Sequence, residues 1–580
     1  MSEGVDNLHW ARTLMRTLAA GGLERVVVAP GSRSTPLVLA AFDTEELTVD
    51  VHLDERSAGF YALGRGRATG RPTAVVTTSG TATANLHPAV IEASHSRVPL
   101  LIMTADRPPE LHESDANQTM EQRDLYGDAV RWSRSLPEVR DEPARHRAVA
   151  AIGARAIAEA TGADPGPVHL NCPFRKPLQP MSAEELAEAR SRELPPIPRV
   201  NHPQSSPEVT DLRWLISQVE SFDRGLIVVG PACFDREAAD TIISFAELVG
   251  YPILADPVSG LRFHPSNEGV VCGGYDGYLT GPMVRSLDPP ELVIRIGPPP
   301  TSQRLQTYLD TPKATQVLLD ATPRWRDPTY RIDTLITGDP IATLSAAADE
   351  LTGLDASGWF DRFGQAESVY WSTAESVLAG RYFEGAIARA VASVIPEGTA
   401  LFVSNSMPVR DLDRFGEPRA ADVHAFGNRG VSGIDGIVSS ALGVGDALDA
   451  PVVILTGDLA LYHDSNGLEA IERFDLDATV IVINNDGGGI FHRLPIEDLD
   501  PPFEEMFKTP HGRTFEAIAT QYGLGYDSVH GRTDLAEALG SVSNGGRTLI
   551  ECNIDARRSH EISSFVTGEL RNAVAEAITE

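Results

Sequence analysis

The run at residues 451–495, PVVILTGDLALYHDSNGLEAIERFDLDATVIVINNDGGGIFHRLP, leaves the chain the fewest options. An apolar run at 452–455 stops at Thr456-Gly457-Asp458. Residues 463–474 have helical spacing, and a second β-branched run at 479–483 stops at Asn484-Asn485. Strand, helix and strand in so short a span read as a parallel βαβ unit. Both strands then end on one edge of the sheet, where open α/β sheets receive ligands. Asp458 and Asn485 are 27 positions apart in sequence, yet this geometry brings them together. A carboxylate, an amide oxygen and a carbonyl exposed at Gly487 form an all-oxygen set. Such a set suits Mg2+, with Mn2+ as an alternative, and the remaining ligands would be water and phosphate oxygens. Either turn alone has ordinary turn composition. Their pairing at consecutive strand ends makes them a candidate site.

The same alternation runs through the rest of the chain. A helix capped by Asp6 or Asn7 is expected to residue 20, then strands at 25–29, 49–53, 73–78, 99–104 and 168–170. Polar turns follow several of them, carrying Arg33, Glu55, Ser79-Gly80 and Asp106-Arg107. Residues 194–207 are rich in Pro and Ser and read as a linker. Strands at 226–229, 252–255, 292–296 and 316–319 follow, with turns that lack a phosphate fingerprint, so this part reads as mainly structural. After a less patterned stretch at 352–373 come a helix at 383–395 and strands at 400–403 and 423–426. Next are the opening run and a late strand at 549–552. The chain therefore reads as α/β, with doubly wound parallel sheets in three domains at 1–193, 208–352 and 373–580. No sequence repeat relates them.

This layout resembles the thiamine diphosphate (ThDP) enzymes of the acetolactate synthase type, with pyrimidine-binding, central and diphosphate-binding domains in that order. The opening run is similar to their Gly-Asp-Gly and Asn-Asn diphosphate–metal motif, with Leu459 where the last Gly usually stands. The resemblance implies ThDP and Mg2+ as cofactors, with Asp458, Asn485 and the Gly487 carbonyl as metal ligands and Gly457 at the diphosphate. Glu55 matches the glutamate that bonds the aminopyrimidine ring, an acid–base role. Two chains build each site in that family, which implies a homodimer or homotetramer with sites between chains.

More specific stretches are Gly31-Ser32-Arg33-Ser34-Thr35-Pro36, Asp54-Glu55-Arg56-Ser57-Ala58, Ala105-Asp106-Arg107-Pro108-Pro109 and Asn117-Gln118. To these are added Asn428-Arg429-Gly430-Val431-Ser432-Gly433-Ile434-Asp435-Gly436 and the run from Asn484 to Phe491. Together they resemble the 2-succinyl-5-enolpyruvyl-6-hydroxy-3-cyclohexene-1-carboxylate synthase family of menaquinone biosynthesis. That resemblance implies decarboxylation of 2-oxoglutarate and addition of its succinyl unit to isochorismate. By motif match, Arg33, Arg107, Arg304, Ser406, Arg410 and Arg429 would hold substrate, and Gln118 would be catalytic. Ser406, Ile434 and Phe491 would contact the cofactor. Planar guanidinium groups suit two dicarboxylate substrates, because they bind carboxylates through paired hydrogen bonds. Gln303 stands where the family carries a basic residue beside Arg304. The alternative is another ThDP-dependent 2-oxoacid decarboxylase or carboligase, whose substrate pocket would be more apolar. His463 and His492 read as packing or surface residues.

Composition bounds the setting. Asp and Glu number 81 against 49 Lys and Arg, a net charge of −32, and the only lysines are Lys176, Lys313 and Lys508. Phosphate-backbone binding rests on basic side chains, so nucleic acid is excluded as a partner. Cys172, Cys233, Cys272 and Cys552 are scattered and read as reduced thiols. No signal-peptide pattern opens the chain, and no apolar run approaches the roughly 20 residues of a membrane span. The expectation is a cytoplasmic protein that does not engage membranes. Acidic residues dispersed over the whole chain suit concentrated salt, where screening shortens repulsion to about 3 Å at 1 M. The melting temperature is therefore expected to rise from dilute buffer to molar KCl. A flat or falling melting temperature would remove the halophilic reading.

Overall fold

The computed structural model describes residues 2–579 except 202–205, 233, 268, 281–288, 311–313, 353–357, 500–501, 541 and 543–544. Cys233 and Lys313, together with part of the expected linker, lie outside the described residues. Among the described residues, three six-stranded sheets carry the chain, and every strand pairing is parallel. The first contains β1 (Arg25–Val28), β2 (Thr48–Val51), β3 (Thr73–Thr77), β4 (Leu100–Asp106), β5 (Trp132–Ser135) and β6 (Pro167–Pro173). The second contains β7 (Gly225–Val229), β8 (Ile253–Ala255), β9 (Val271–Cys272), β10 (Leu292–Ile296), β11 (Thr315–Asp320) and β12 (Thr334–Thr337). The third contains β13 (Thr399–Val403), β14 (Val423–Phe426), β15 (Val452–Gly457), β16 (Ala478–Asn484), β17 (Gly525–Val529) and β18 (Arg547–Asn553). Helices between successive strands leave the central strands covered on both faces, so β3, β4, β6, β13 and β16 are buried along their whole length.

The strand order is β2-β1-β3-β4-β6-β5 in the first sheet and β14-β13-β15-β16-β18-β17 in the third, which is one topology used twice. The central sheet runs β12-β11-β10-β7-β8-β9, a different winding. In the repeated topology the order reverses between β1 and β3, and again between β13 and β15. Such reversals open a crevice at the carboxyl ends of the strands.

Several local expectations need correction. The strands that escaped the sequence pattern (β5, β9, β12 and β17) are all at sheet edges. β5, β12 and β17 are largely solvent-accessible, so they lack the continuous apolar run that marks a buried strand. The first helix is Glu3–Ala20, so neither Asp6 nor Asn7 caps it. Asn7 instead donates to the carbonyls of Arg175 and Pro177. Within 352–373, a helix at Gly358–Leu378 buries Trp359, Phe363, Ala366, Tyr370, Ala374 and Leu378 on one face. The helix expected at 463–474 is broken into Asp458–His463, a 3-10 turn at Ser465–Leu468 and Glu469–Arg473. The break falls at Asp464, whose buried carboxylate accepts from Ser439 N at 2.7 Å and Ser439 Oγ at 2.9 Å.

The chain forms two compact units. One comprises residues 1–203 with 428–449 and 464–474; the other comprises 204–427, 450–463 and 475–580. Inside the first unit, helix Glu55–Thr69 packs on helix Ile437–Leu448 with their backbones in contact. A Cβ on Gly64 would lie 1.9 Å from Ser440 O, and one on Gly443 would lie 2.1 Å from Tyr61 O. Neither carbonyl can move without opening its helix. Gly443→Ala is therefore expected to lower unfolding stability by about 1–3 kcal/mol through overpacking. Gly364→Ala, in an exposed helical position with nothing within 4 Å, should raise it by about 0.5–1 kcal/mol. Denaturant unfolding in concentrated salt measures both.

Candidate active site

In the second unit the register of β15 against β16 pairs Gly457 with Ile483, so both strands run out together. Asp458 follows on one side, and Asn484 and Asn485 on the other. Asp458 is 3% exposed, and its Oδ2 accepts from Gly487 N at 2.8 Å and from His511 Nε2 at 3.1 Å. Its Oδ1 accepts from Leu459 N at 2.6 Å. Burial pushes its pKa up, while these donors oppose the shift. Gly487 has φ +118°, and a Cβ there would lie 2.1 Å from Lys508 O, so only glycine fits. The two asparagines have separate tasks. Asn484 Nδ2 donates to Glu551 Oε1 at 2.6 Å and Arg513 O at 2.9 Å, which holds the sheet end. Asn485 Nδ2 donates to Glu384 Oε1 at 2.6 Å, and this leaves its Oδ1 buried with no hydrogen-bond partner.

Two observations test whether these residues fit a metal–diphosphate group. The orphaned Asn485 Oδ1 is an acceptor lacking a donor, as a metal ligand would be before its ion is placed. A Cβ at Gly457 would meet nothing within 4 Å, so the chain leaves open space beside the turn. The residues fit.

Behind Asn485 lies a buried acidic pair that sequence reading did not single out. Burial, and then the charge of Asp411, push the Glu384 carboxyl up to about 7. Asp411 is also raised by burial and sits 3.6 Å from Arg493 Nη2. His511 was missed as well. It lies 53 residues from Asp458, and nothing in its local sequence marks it.

Ser406 opens helix Met407–Phe415 with φ +68°, an uncommon backbone state for a residue other than glycine. Its carbonyl accepts from Arg410 Nη1. Phe491 lies in the 3-10 turn Gly489–Arg493, edge-on to Phe507 with centroids 5.6 Å apart. Arg304 is placed differently from these turns. Its Nη1 donates to Asp276 O at 2.6 Å, and Arg414 holds the carboxylate of the same aspartate at 2.7 Å.

The first unit holds the other predicted residues. Glu55 starts its helix beneath the Asp54 cap, and Asn85 Nδ2 donates to Glu55 Oε2 at 3.2 Å. Gln118 has φ +58°, and its Nε2 donates to Ser79 O at 2.9 Å, at the end of β3. Arg33, in the turn after β1, is 7% exposed and donates through Nη1 to Phe174 O at 2.8 Å. Arg107, in the turn after β4, is 8% exposed and has its Nη1 buried without a partner. Burial lowers the pKa of both arginines, and the charge of Arg107 lowers Arg33 further. The two guanidiniums are close enough for one charge to act on the other, and Arg107 keeps an unmet donor. Arg429 and Ile434 lie in the loop before helix Ile437–Leu448. That loop is held by Glu92, which accepts from Gly430 N and Val431 N at 2.8 Å each. Glu92 is 2% exposed and belongs to none of the motifs.

Comparison with known proteins identifies the family. Residues 8–127 match the N-terminal TPP binding domain of thiamine pyrophosphate (that is, diphosphate) enzymes. Residues 203–403 match the middle domain of that family, and 419–552 the C-terminal TPP binding domain. A 2-succinyl-5-enolpyruvyl-6-hydroxy-3-cyclohexene-1-carboxylate synthase from Haloarcula marismortui is 46% identical, over 98% of this chain and 99% of its own. A protein of the same name from Halobacterium salinarum is 46% identical over 97% and 98%. One from a Roseiflexus species is 44% identical over 95% and 96%. A crystal structure of benzoylformate decarboxylase from Polynucleobacter necessarius superposes with a TM-score of 0.73 at 18% identity, over 96% of this chain and 99% of that one, which shows a shared fold. The chain belongs to the thiamine diphosphate enzymes and, within them, to the 2-succinyl-5-enolpyruvyl-6-hydroxy-3-cyclohexene-1-carboxylate synthase family.

Proposed function

We infer that this chain catalyses the reaction of its family in menaquinone biosynthesis. 2-Oxoglutarate loses CO2, and its succinyl unit is added to isochorismate to give 2-succinyl-5-enolpyruvyl-6-hydroxy-3-cyclohexene-1-carboxylate. The observation that carries this reading is the pair of buried arginines, Arg33 and Arg107, with the unmatched Arg107 Nη1. A pocket for an apolar 2-oxoacid has no use for them, whereas a substrate carboxylate supplies the missing acceptor.

Bound thiamine diphosphate supplies the electron sink that allows a 2-oxoacid to lose CO2 and pass on its acyl unit. Asp458, Asn485 Oδ1 and the Gly487 carbonyl would hold Mg2+ or Mn2+, and Gly457 would leave room for the diphosphate. Glu55 would hold a proton at the aminopyrimidine ring nitrogen, with Asn85 orienting its carboxylate. Ile434 and Phe491 would shape the apolar wall against the cofactor, and Ser406 would reach it from the strained turn after β13. Arg410 and Arg429 would join Arg33 and Arg107 in holding substrate carboxylates, and Gln118 would orient a substrate hydroxyl or move a proton there. Arg304 is proposed as a further substrate residue on the family motif alone, since Asp276 holds it here. The expected assembly is a homodimer or homotetramer with sites between chains.

CO2 release that requires Mg2+, ThDP, 2-oxoglutarate and isochorismate together is the expected outcome. Turnover of pyruvate alone would instead favour a decarboxylase of the acetolactate synthase type. Glu55→Gln should keep ThDP binding and lower kcat by about 10²–10⁴-fold. Unchanged activity would remove Glu55 from the mechanism. Mixing inactive Glu55→Gln with inactive Asp458→Asn chains tests the shared site. If each site draws these residues from different chains, about a quarter of full activity returns after subunit exchange. No recovery despite exchange would place both residues in one chain.

A further inference from the structure

We propose that His9, Asp141 and His146 form a binding site for a divalent transition-metal ion of the zinc class, apart from the cofactor turns. His9 lies on helix Glu3–Ala20, His146 on the first turn of helix Pro143–Thr161, and Asp141 on the segment just before that helix. One ligand atom from each lies within 4.8 Å of the other two. The imidazole rings have centroids 4.2 Å apart, tilted by 47°. Each histidine is 4% exposed; His9 Nδ1 is buried without a hydrogen-bond partner, and the buried His146 Nε2 has only Asp141, 3.5 Å away. A buried imidazole nitrogen with no partner, beside a second buried ring, is an arrangement a protein rarely keeps unless something fills it.

The surroundings prepare His146 as a ligand. Thr13 Oγ1 lies 3.1 Å from the His9 carbonyl and 3.2 Å from His146 Nδ1. Its single hydroxyl proton goes to the carbonyl, so His146 Nδ1–H donates to the oxygen. That tautomer leaves the lone pair on Nε2, the atom facing Asp141. His146 Nε2 and Asp141 Oδ1 are 3.5 Å apart. Tetrahedral zinc with bonds of about 2.0–2.1 Å spaces its ligand atoms by about 3.3 Å, so this pair is already near that spacing and the His9 nitrogen, within 4.8 Å of both, closes the rest. Burial lowers the pKa of both rings, that of His9 to about 4, which keeps them in the neutral form that binds metals.

Asp141 is exposed and provides the route of entry. Its Oδ2 sits 3.3 Å from Arg192 Nη1, and Arg192 also pairs with Asp6 and Glu188, each at 2.7 Å. The guanidinium therefore orients the carboxylate while its own charge is balanced by the other two acids. The donor set of two imidazoles and one carboxylate suits zinc, cobalt or nickel better than the all-oxygen preference of Mg2+. The bound ion would clip the first helix to the start of helix Pro143–Thr161, leaving one position for water. This is a structural role.

The test uses the full chain with excess Mg2+ and ThDP, so that the oxygen site is filled. Cobalt titration should give the visible absorption of a four-coordinate nitrogen–oxygen site, and Zn2+ should displace it. Zn2+ should also raise the melting temperature. Asp141→Asn, at an exposed position, should weaken Zn2+ binding by about 10–100-fold, and His146→Gln should abolish the cobalt band. If His146→Gln fails to fold, Asp141→Asn decides alone. No uptake of micromolar Zn2+ by the parent protein would overturn the proposal, as would equal uptake by parent and Asp141→Asn.

Discussion

The 2.8 Å hydrogen bond from Gly487 N to Asp458 Oδ2 ties the ends of two neighbouring parallel strands, and the candidate site is built around it. Parallel pairing sends both chains out at one edge, so the turns after β15 and β16 must share that space. The close approach works only because residue 487 has no Cβ. Its φ of +118° and the nearby Lys508 carbonyl both exclude a side chain. Loop 508–512 then closes over the turn, with His511 N and Gly512 N donating to Asp486 Oδ1 at 2.8 and 2.7 Å. With this contact go the burial of Asp458 and the position of His511, while Glu384 sets the direction of Asn485.

The charge distribution divides the molecule by depth. The surface is acidic enough to give a net charge of −32, which at low salt would repel dicarboxylate substrates. At molar salt the screening length falls to about 3 Å, and that repulsion reaches no further than the first shell of solvent. Arg33 and Arg107 are buried, where salt screens little and a guanidinium attracts a carboxylate at contact range. The acids Glu384 and Asp411 are buried too; burial pushes both toward the neutral form, and the charge of Asp411 pushes Glu384 further.

The first and third sheets share a strand order without any repeat in their sequences. A buried parallel strand asks only for a run of apolar, often β-branched residues, a condition many sequences meet. What differs is the turn chemistry: Arg33, Glu55, Arg107 and Gln118 follow strands of the first sheet, and Arg410, Arg429, Asp458 and Asn485 follow strands of the third. The central sheet has another winding. Its residue nearest to function by motif, Arg304, is held by the Asp276 carbonyl.

The sequence by itself determined the alternation of strands and helices, the buried central strands and the residues at the strand ends. Each of these is written in local pattern: apolar runs, polar turns and glycines needing unusual backbone angles. It did not reveal β5, β12 and β17, because an edge strand half open to solvent carries no such run. It misjudged the helix at Gly358–Leu378, whose aromatic stripe has a meaning only in the cluster it shares with Tyr275, Tyr278 and the helix at Ala556–Thr579. Only the tertiary structure decided that Asn485 and not Asn484 keeps a free oxygen, that Glu384 and His511 support the site, and that Glu92 holds the Arg429 loop. These contacts join residues 25 to 339 positions apart. No local pattern encodes a partner that far away; it is chosen by where the sheets and helices finally place each side chain.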